Sequence, residues 1–449
     1  MAAFPGKPLT PSSTEGGLEP GPTAVAWYTL GVLAVAHMLS LLDRKLPLIL
    51  AQSIKTDLQL NDTQLGLVIG VMFAIVYTTV AIPMGALADR TSRKRLIAGA
   101  ITIWSVMTAA GGLAQNVWQL GLSRMGVAVG ESVCTPAASS MIGDMFAPRF
   151  RARAVAIYFV GAQMGILAGL VLGGWINEIA NWRMALILLG APGVLLALVI
   201  GFTIREPARM NRENTSPTEP RPKTSEVALQ LLRQPTLVHL IFAAALAALA
   251  TGGLQAFLPA YIIRTYDMGS AQVGFTYGVA MGLSGLAGVL FGGFAGDWMR
   301  RKSPPKALMF VGVGEAIALP AVMLALVIHN YPLFLGLLFV WNSLSSIHNG
   351  PVYATLHSLM PSRTHATATA IYLFVVGGLG LALGPLVTGI VSDSISAGGT
   401  QASLQTALLI LSIPKLWSVG HFLLAARSLR RHQRTVELAA AQPAPAPAP

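Results

Sequence analysis

The chain has 449 residues, of which 54% are hydrophobic and only 11% charged. A soluble domain carries roughly 25% charged residues, so the composition excludes a soluble globular protein and implies one that crosses a membrane many times. The formal net charge is +12, but the cations fall in alternate loops between apolar runs, which points to an anionic membrane surface and away from nucleic acid. A single cysteine, Cys134, excludes an intrachain disulfide and a multi-cysteine metal site. Its place inside an apolar run makes it a small packing residue.

Residues 1–23 are rich in Pro, Gly, Ser and Thr and read as a disordered tail. No signal peptide is expected, because the first apolar run is too long and lacks a cleavage site. A span needs about 20 apolar residues. Twelve runs qualify: 24–50, 64–87, 96–115, 117–145, 154–176, 182–204, 237–263, 271–296, 306–328, 332–359, 367–391 and 405–427. One set of loops holds Arg90 to Arg95, then Arg149, Arg151 and Arg153, the segment 205–236, then Arg300, Arg301, Lys302 and Lys306, and Arg363. The tail adds Arg427, Arg430, Arg431 and Arg434, whereas the opposite loops offer only Lys55, Arg183 and Arg264. Basic loops stay cytoplasmic, so both termini are expected on the cytoplasmic side of an inner or plasma membrane. The implied organisation is a helical half over 24–204, a cytoplasmic linker over 205–236, a second helical half over 237–427 and a disordered tail over 428–449. The linker starts with Pro207, Pro217, Pro220 and Pro222. It ends in S-E-V-A-L-Q-L-L-R-Q-P, where a Ser225 cap and an apolar stripe predict a short helix on the membrane surface.

Two loops are versions of one pattern. Gly85–Arg95 reads G-A-L-A-D-R-T-S-R-K-R, with Asp89 followed by Arg90, Arg93, Lys94 and Arg95; 293–302 reads G-F-A-G-D-W-M-R-R-K, with Asp297 in the place of Asp89. Each lies between apolar runs, about half a chain apart, which is the mark of two similar halves. The fifth run carries Gly161, Gly165, Gly169 and Gly173 on one helical face, and the eleventh has Gly380, Gly384 and Pro385. Both are read as surfaces for close helix packing.

Ionisable residues within spans are costly and usually functional. The first run holds Asp43 and Arg44, the fourth Arg124 and Glu131, the ninth Glu315 and the twelfth Lys415. Arg124 and Glu131 share a helical face, roughly 10 Å apart, with Glu131 near the midplane and Arg124 at the depth of Asp43. Burial disfavours a carboxylate's charged form and a neighbouring arginine favours it. A change in water access or in distance to Arg124 would then move a proton on or off. Static salt bridges are the alternative. Glu315 and Lys415 have no neutralising charge near them in sequence and are expected to pair with each other. The loop-motif offset carried on from Asp43 lands on Thr251, so the second half has no matching acid. Its tenth run is polar instead: Asn342, Ser346, Asn349 and Tyr353 fall at helical spacing and form one stripe, for substrate contact or for ordinary interhelical bonding.

The Gly85–Arg95 loop resembles the signature loop between the second and third helices of the major facilitator superfamily. Three stretches are similar to its Spinster family of lipid transporters: L-L-D-R at 41–44, the loop itself, and L-S-R-M-G-V-A-V-G-E-S at 122–132, continued by M-I-G-D-M-F at 141–146. The resemblance implies an all-α fold of twelve membrane helices in two pseudo-symmetric six-helix bundles. Spans 1, 4, 7 and 10 would line a central cavity that opens alternately to each side. It implies Asp43 and Glu131 as proton-binding acids, Arg124 and Arg44 as the charge switch beside them, and Gly85, Asp89, Arg90, Arg93 and Asp297 as the inner gate. Thr251, Asn342, Ser346, Asn349 and Tyr353 are the candidates for substrate contact.

The expectation is a proton-linked secondary transporter of an amphipathic, lipid-like substrate working by alternating access, with an organic-anion symporter or a multidrug exporter of the same fold as alternatives. It is a monomer among membrane lipids, with no cofactor beyond the proton as coupling ion. No nucleophile elbow, zinc-ligand cluster or P-loop motif appears in the sequence, so an enzyme is not expected.

Overall fold

The computed structural model describes residues 22–208, 223–361, 364–395 and 400–441. Residues 1–21 of the tail expected over 1–23, the middle of the linker, Arg363 and residues 442–449 lie outside the described residues. Among the described residues, twelve long helical rods follow one another, with one short helix between the sixth and seventh. We label them α1 (Ala24–Asp57), α2 (62–90), α3 (Arg93–Gly111), α4 (Val117–Met145), α5 (Pro148–Ile179), α6 (Trp182–Thr203), α7 (Pro235–Tyr266), α8 (Ser270–Lys302), α9 (Pro304–Val327), α10 (331–359), α11 (365–394) and α12 (400–441). By length and composition alone, nine helices among the described residues are apolar enough to cross a membrane. The three rods below that mark have physical reasons to be there. α3 opens on Arg93, Lys94 and Arg95, α4 carries Arg124, Glu131 and Asp144, and α10 is polar and broken in its middle.

Four rods are interrupted, three of them just before a proline. Pro351 cannot donate to the Ile347 carbonyl, and α10 breaks into Tyr331–Ser346 and Asn349–Leu359. Pro414 divides α12 at Ile413, and Pro385 follows a π-helical turn at Gly378–Leu383 in α11. α2 carries its own π turn at Leu67–Val71. The two π turns pack against each other where α2 meets α11. The repeat shows in the helix bounds as well: α2 and α8 begin at Asp62 and Ser270, the interval that separates Asp89 from Asp297.

Glycines set the closest contacts. The face Gly161, Gly165 and Gly169 of α5 lies on the backbone carbonyls of Ala34, Met38 and Leu42 in α1, where a Cβ at Gly169 would come within 2.7 Å of Leu42 O. The second half repeats this packing between α7 and α11, with Gly252 against Gly380 and Gly384 against Leu249. Packing is therefore what these glycine stripes do.

Two sequence expectations are corrected at the surface. The short helix is Thr224–Arg233, preceded by Lys223, whose backbone N–H donates to Glu226 Oε2 at 3.2 Å, so Ser225 lies inside its first turn. Val227 and Leu231 are buried against the second half, and Leu229 and Leu232 are exposed. The stretch 428–441, expected to be disordered, continues α12 as helix to Ala441. R-S-L-R-R-H-Q-R-T-V-E-L-A-A-A contains no Gly or Pro and is rich in helix formers, so charge ends the apolar run without ending the helix.

The apolar core explains the overall form. At the ends that carry the basic loops, each half has its own core, around Trp104, Val127 and Tyr158 in the first half and around Leu240, Val311 and Phe422 in the second. At the opposite end a single core runs through both halves, joining Leu46, Ile49 and Trp182 to Phe257, Tyr261 and Val273. Outward-facing Phe202, Leu195 and Phe294 present an apolar surface to lipid.

Candidate functional site

The joined end is sealed by polar contacts as well as by the core. Asp62, at the start of α2, accepts from Lys55 at 2.5 Å, from Arg264 of α7 at 3.0 Å and from Ser392 of α11 at 2.7 Å. Asp393 accepts in return from the backbone N–H groups of Asp62 at 3.0 Å and Thr63 at 2.7 Å, which are unsatisfied donors at a helix start. Asn177 donates to Ser270 at 2.9 Å, and Glu178 accepts from the Ala271 backbone at 2.7 Å. All of these except Lys55–Asp62 tie the first half to the second.

Below this seal lies a cavity of about 200 Å³ between the halves. Its polar lining comes from Lys45 of α1, Gln163 of α5, Gln255 of α7 and Asn342, Ser346 and Asn349 of α10, with Leu48, Ile166 and Met281 among the apolar residues. Lys45 donates to Gln255 Oε1 at 3.1 Å, a bond from one half to the other. Asn342 is held in place by donating to Ser284 Oγ at 2.8 Å and to the Met281 carbonyl at 3.2 Å.

The charges of the first half cluster between α1 and α4, with Arg44 next in sequence to the cavity-lining Lys45. Arg44 donates through both Nε, at 2.9 Å, and Nη2, at 2.6 Å, to Glu131 Oε2. Its guanidinium also lies 4.7 Å from the Tyr77 ring centre and 5.3 Å from that of Phe73. Arg124 lies 5.2 Å from the Phe73 ring centre, so Phe73 is flanked by two cations. Asp43 Oδ2 accepts from Thr108 at 3.2 Å. Asp43 Oδ1, Glu131 Oε1, and Arg124 Nε and Nη1 are buried with no hydrogen-bond partner among the described residues. An unpaired buried polar atom is costly, and any rearrangement that satisfies it is favoured.

Several expectations change here. The ion-pair partner of Glu131 is Arg44 and not Arg124: two turns along α4 hold Arg124 and Glu131 roughly 10 Å apart, while α1 brings Arg44 directly over the acid. Thr251 is half-buried on α7 and is not among the residues lining the cavity; Gln255, one turn on, is. Tyr353 leaves the α10 stripe, because the break at Ile347 and His348 turns it away to pack edge-on against Tyr372 at 5.5 Å. Asn342, Ser346 and Asn349 do line the cavity. Glu315 and Lys415 pair at 2.6 Å, almost wholly buried, with Lys415 also donating to Ser345 at 2.9 Å.

The gate candidates scatter. Arg93 is buried and braces its own half, donating to Asp144 at 2.5 Å, to Glu206 at 2.9 Å and to Ser140 at 2.9 Å. Burial would raise the Glu206 pKa, but hydrogen bonds from Lys94 N, Arg93 and Ser92, with the Arg93 charge, outweigh it and hold it below the ordinary 4.5. Arg90 is exposed, Gly85 has open space around it, and Asp297 is exposed 3.6 Å from Arg300 on its own helix. The side chain of Asp89 lies outside the described residues.

Sequence reading missed Lys45, Gln163 and Gln255. Lys45 stands next to Asp43 and Arg44 in the same apolar run and could have been found by the rule that singled those out. The two glutamines carry no charge and give no comparable signal.

Comparison with known proteins covers nearly the whole chain. Residues 33–427 match the Major Facilitator Superfamily. An MFS-type efflux pump of Mycolicibacterium smegmatis is 34% identical over 90% of this chain and 94% of its own. Protein spinster homolog 1 of Xenopus tropicalis is 27% identical over 91% of this chain and 82% of its own. Among solved structures, a bacterial homolog to the human lysosomal transporter Spinster, in an inward-facing and unoccupied conformation, superposes with a TM-score of 0.84 at 26% identity, covering 92% of this chain and 99% of that one.

Proposed function

This chain belongs to the Major Facilitator Superfamily and resembles its Spinster branch, and from that membership we propose that it is a proton-linked secondary transporter of an amphipathic, lipid-like substrate. The observation that carries this reading is a cavity between two halves, sealed at one end only, with a cluster of four charges on two helices of the first half, three of them buried and the fourth, Arg44, next in sequence to the cavity-lining Lys45. With the basic loops and both termini on the cytoplasmic side, the sealed end faces out and the conformation is inward-facing.

In the proposed cycle, opening of the outer end lets water reach Asp43, whose Oδ1 is free to take a proton. Neutral Asp43 no longer balances Arg124. The loss of that charge loosens the cluster around Phe73 and shifts Arg44 and Glu131 with it. The protein spends no other energy source, since a ligand or proton moves such an equilibrium only by binding one state more tightly. The lining, part amide and cation and part Leu48, Ile166 and Met281, suits a molecule with a polar head and an apolar body. The chain acts as a monomer, with protons as its only coupling ion. The test is uptake into proteoliposomes of a panel of lipids and organic anions, with and without an imposed pH gradient. Transport of none, or rates indifferent to the gradient, would remove this reading.

A second reading is multidrug export, favoured by the 34% identity to an efflux pump. The same panel with drug-like cations decides between them.

A further inference from the structure

The charges inside the apolar spans do not pair off evenly, and the one left over sits, partly buried, in the cavity wall. In the first half Asp43 and Glu131 are matched by Arg124 and Arg44, and in the second Glu315 is matched by Lys415. Lys45 is left over. It is the only charged residue lining the cavity among the described residues, and no carboxylate joins it there. An ammonium carries three donors, and the acceptor given to it is the neutral Gln255 Oε1 at 3.1 Å. A cation beside an apolar wall with only an amide for a partner is expensive to hold, and an anion relieves that cost.

The neighbours suit an anion too. Gln255 Nε2 reaches Asn342 Oδ1 only at 3.5 Å, so it is a donor held weakly. Gln163 has no hydrogen bond among the described residues, and its Oε1 lies 3.8 Å from where a Cβ on Gly285 would stand. The absence of a side chain at Gly285 leaves the space in front of Gln163 and Asn342 open. At about 200 Å³ the cavity is below the ~300 Å³ at which drug-sized ligands begin, which fits a headgroup and the first part of a chain.

We propose that Lys45 is the headgroup-binding cation of this cavity, and that the ligand it selects is an amphiphile with an anionic headgroup, a phosphate or carboxylate held between Lys45 Nζ and the amides of Gln255 and Gln163. The proposal rests on the transporter reading for its setting but names a different residue from the proton-linked cluster. Lys45 and Gln255 belong to opposite halves, so an anion exchanging for the Lys45–Gln255 bond is grasped by both.

Equilibrium binding to the purified full chain in nanodiscs, by calorimetry, tests it with three probes that share one chain: octyl phosphate, octylphosphocholine and octyltrimethylammonium. Octyl phosphate is expected to bind at least tenfold more tightly than the other two. Lys45→Gln is expected to erase that preference, Lys45→Arg to keep it and Lys45→Glu to turn it toward the cation. Gly285→Leu, which fills the cavity and leaves the charge, is expected to weaken all three. Equal binding of the three by the unaltered protein, or tighter binding of the cation, overturns the proposal without any variant having to fold, and so does a preference that survives Lys45→Gln. Inorganic phosphate binding as tightly as octyl phosphate overturns the amphiphile part. Failure of the transporter reading would show instead in proteoliposome flux, which this measurement does not use.

Discussion

Glu315 and Lys415 illustrate what a buried charge demands of its neighbours. The pair is held at 2.6 Å with both side chains almost fully enclosed, and removing one partner leaves the other unmatched, at a cost of about 3–5 kcal/mol. Glu315→Gln and Lys415→Met alone are each expected to lower the folded yield and the unfolding midpoint sharply, and the double variant to recover most of the loss. A double variant as poor as the worse single one, in a thermal-unfolding series, would contradict the pairing. Arg44→Ala is expected to behave like the single variants, because it strips Glu131 of its one ion-pair partner. Arg124→Ala is expected to act through Asp43, whose buried charge it leaves unbalanced, since two of the Arg124 nitrogens have no hydrogen bond of their own to lose. The charged residues themselves were legible in the sequence, because their cost inside an apolar run marks them. Their pairing was not. Whether Arg44 or Arg124 faces Glu131 depends on the rotation of α1 against α4, and spacing within one helix does not contain that rotation.

At the scale of helices, the glycine face of α5 and the brace around Arg93 at the basic end of the first half give two separable tests. A side chain at Gly165 would press into the backbone carbonyl of Met38, and backbone cannot step aside as a long side chain can. Gly165→Val is expected to force α1 and α5 apart and cost about 1–3 kcal/mol by overpacking, visible as a lower unfolding midpoint, whereas Gly99→Ala, with open space around it, should leave that midpoint unchanged. The brace around Arg93 should depend on pH. Because the folded pKa of Glu206 is depressed, its contribution is fully present above the ordinary value of 4.5 and is lost as pH falls through the folded value. The gap in unfolding midpoint between the unaltered protein and Glu206→Gln is therefore expected to be widest near neutral pH and to close in acid. A gap that is constant with pH would show that Glu206 acts through shape alone. The elements were largely readable, because apolar length, glycine spacing and the Asp89 and Asp297 repeat are one-dimensional signals. The breaks in α10 and α12 were announced by Pro351 and Pro414 but went unread, and with them the turning away of Tyr353. The helical stretch past 427 was hidden because an apolar run measures membrane thickness and not helix length.

For the molecule as a whole, the outer seal and the inner charges should oppose each other. Asp62 is the hub of the seal, gripped by Arg264 and Ser392 from the other half. Asp62→Asn weakens these bonds and is expected to raise the fraction of molecules open at that end, read as longer spin-label distances between residues 57 and 395. An unchanged distance distribution would leave the shared apolar core as the seal. None of this clamp was legible in the sequence, because its members are scattered over four loops and helix ends that only the fold assembles. The central claim is that the cluster of Asp43, Arg44, Arg124 and Glu131 links substrate movement to protons. Uptake of a transported amphiphile into proteoliposomes under an imposed pH gradient, compared among the unaltered protein, Asp43→Asn and Glu131→Gln, tests it most directly. The account expects uptake to follow the gradient in the unaltered protein and to lose that dependence in both variants, which keep shape but cannot titrate; gradient-driven uptake at the unaltered rate in both would contradict it and leave the four charges as structural.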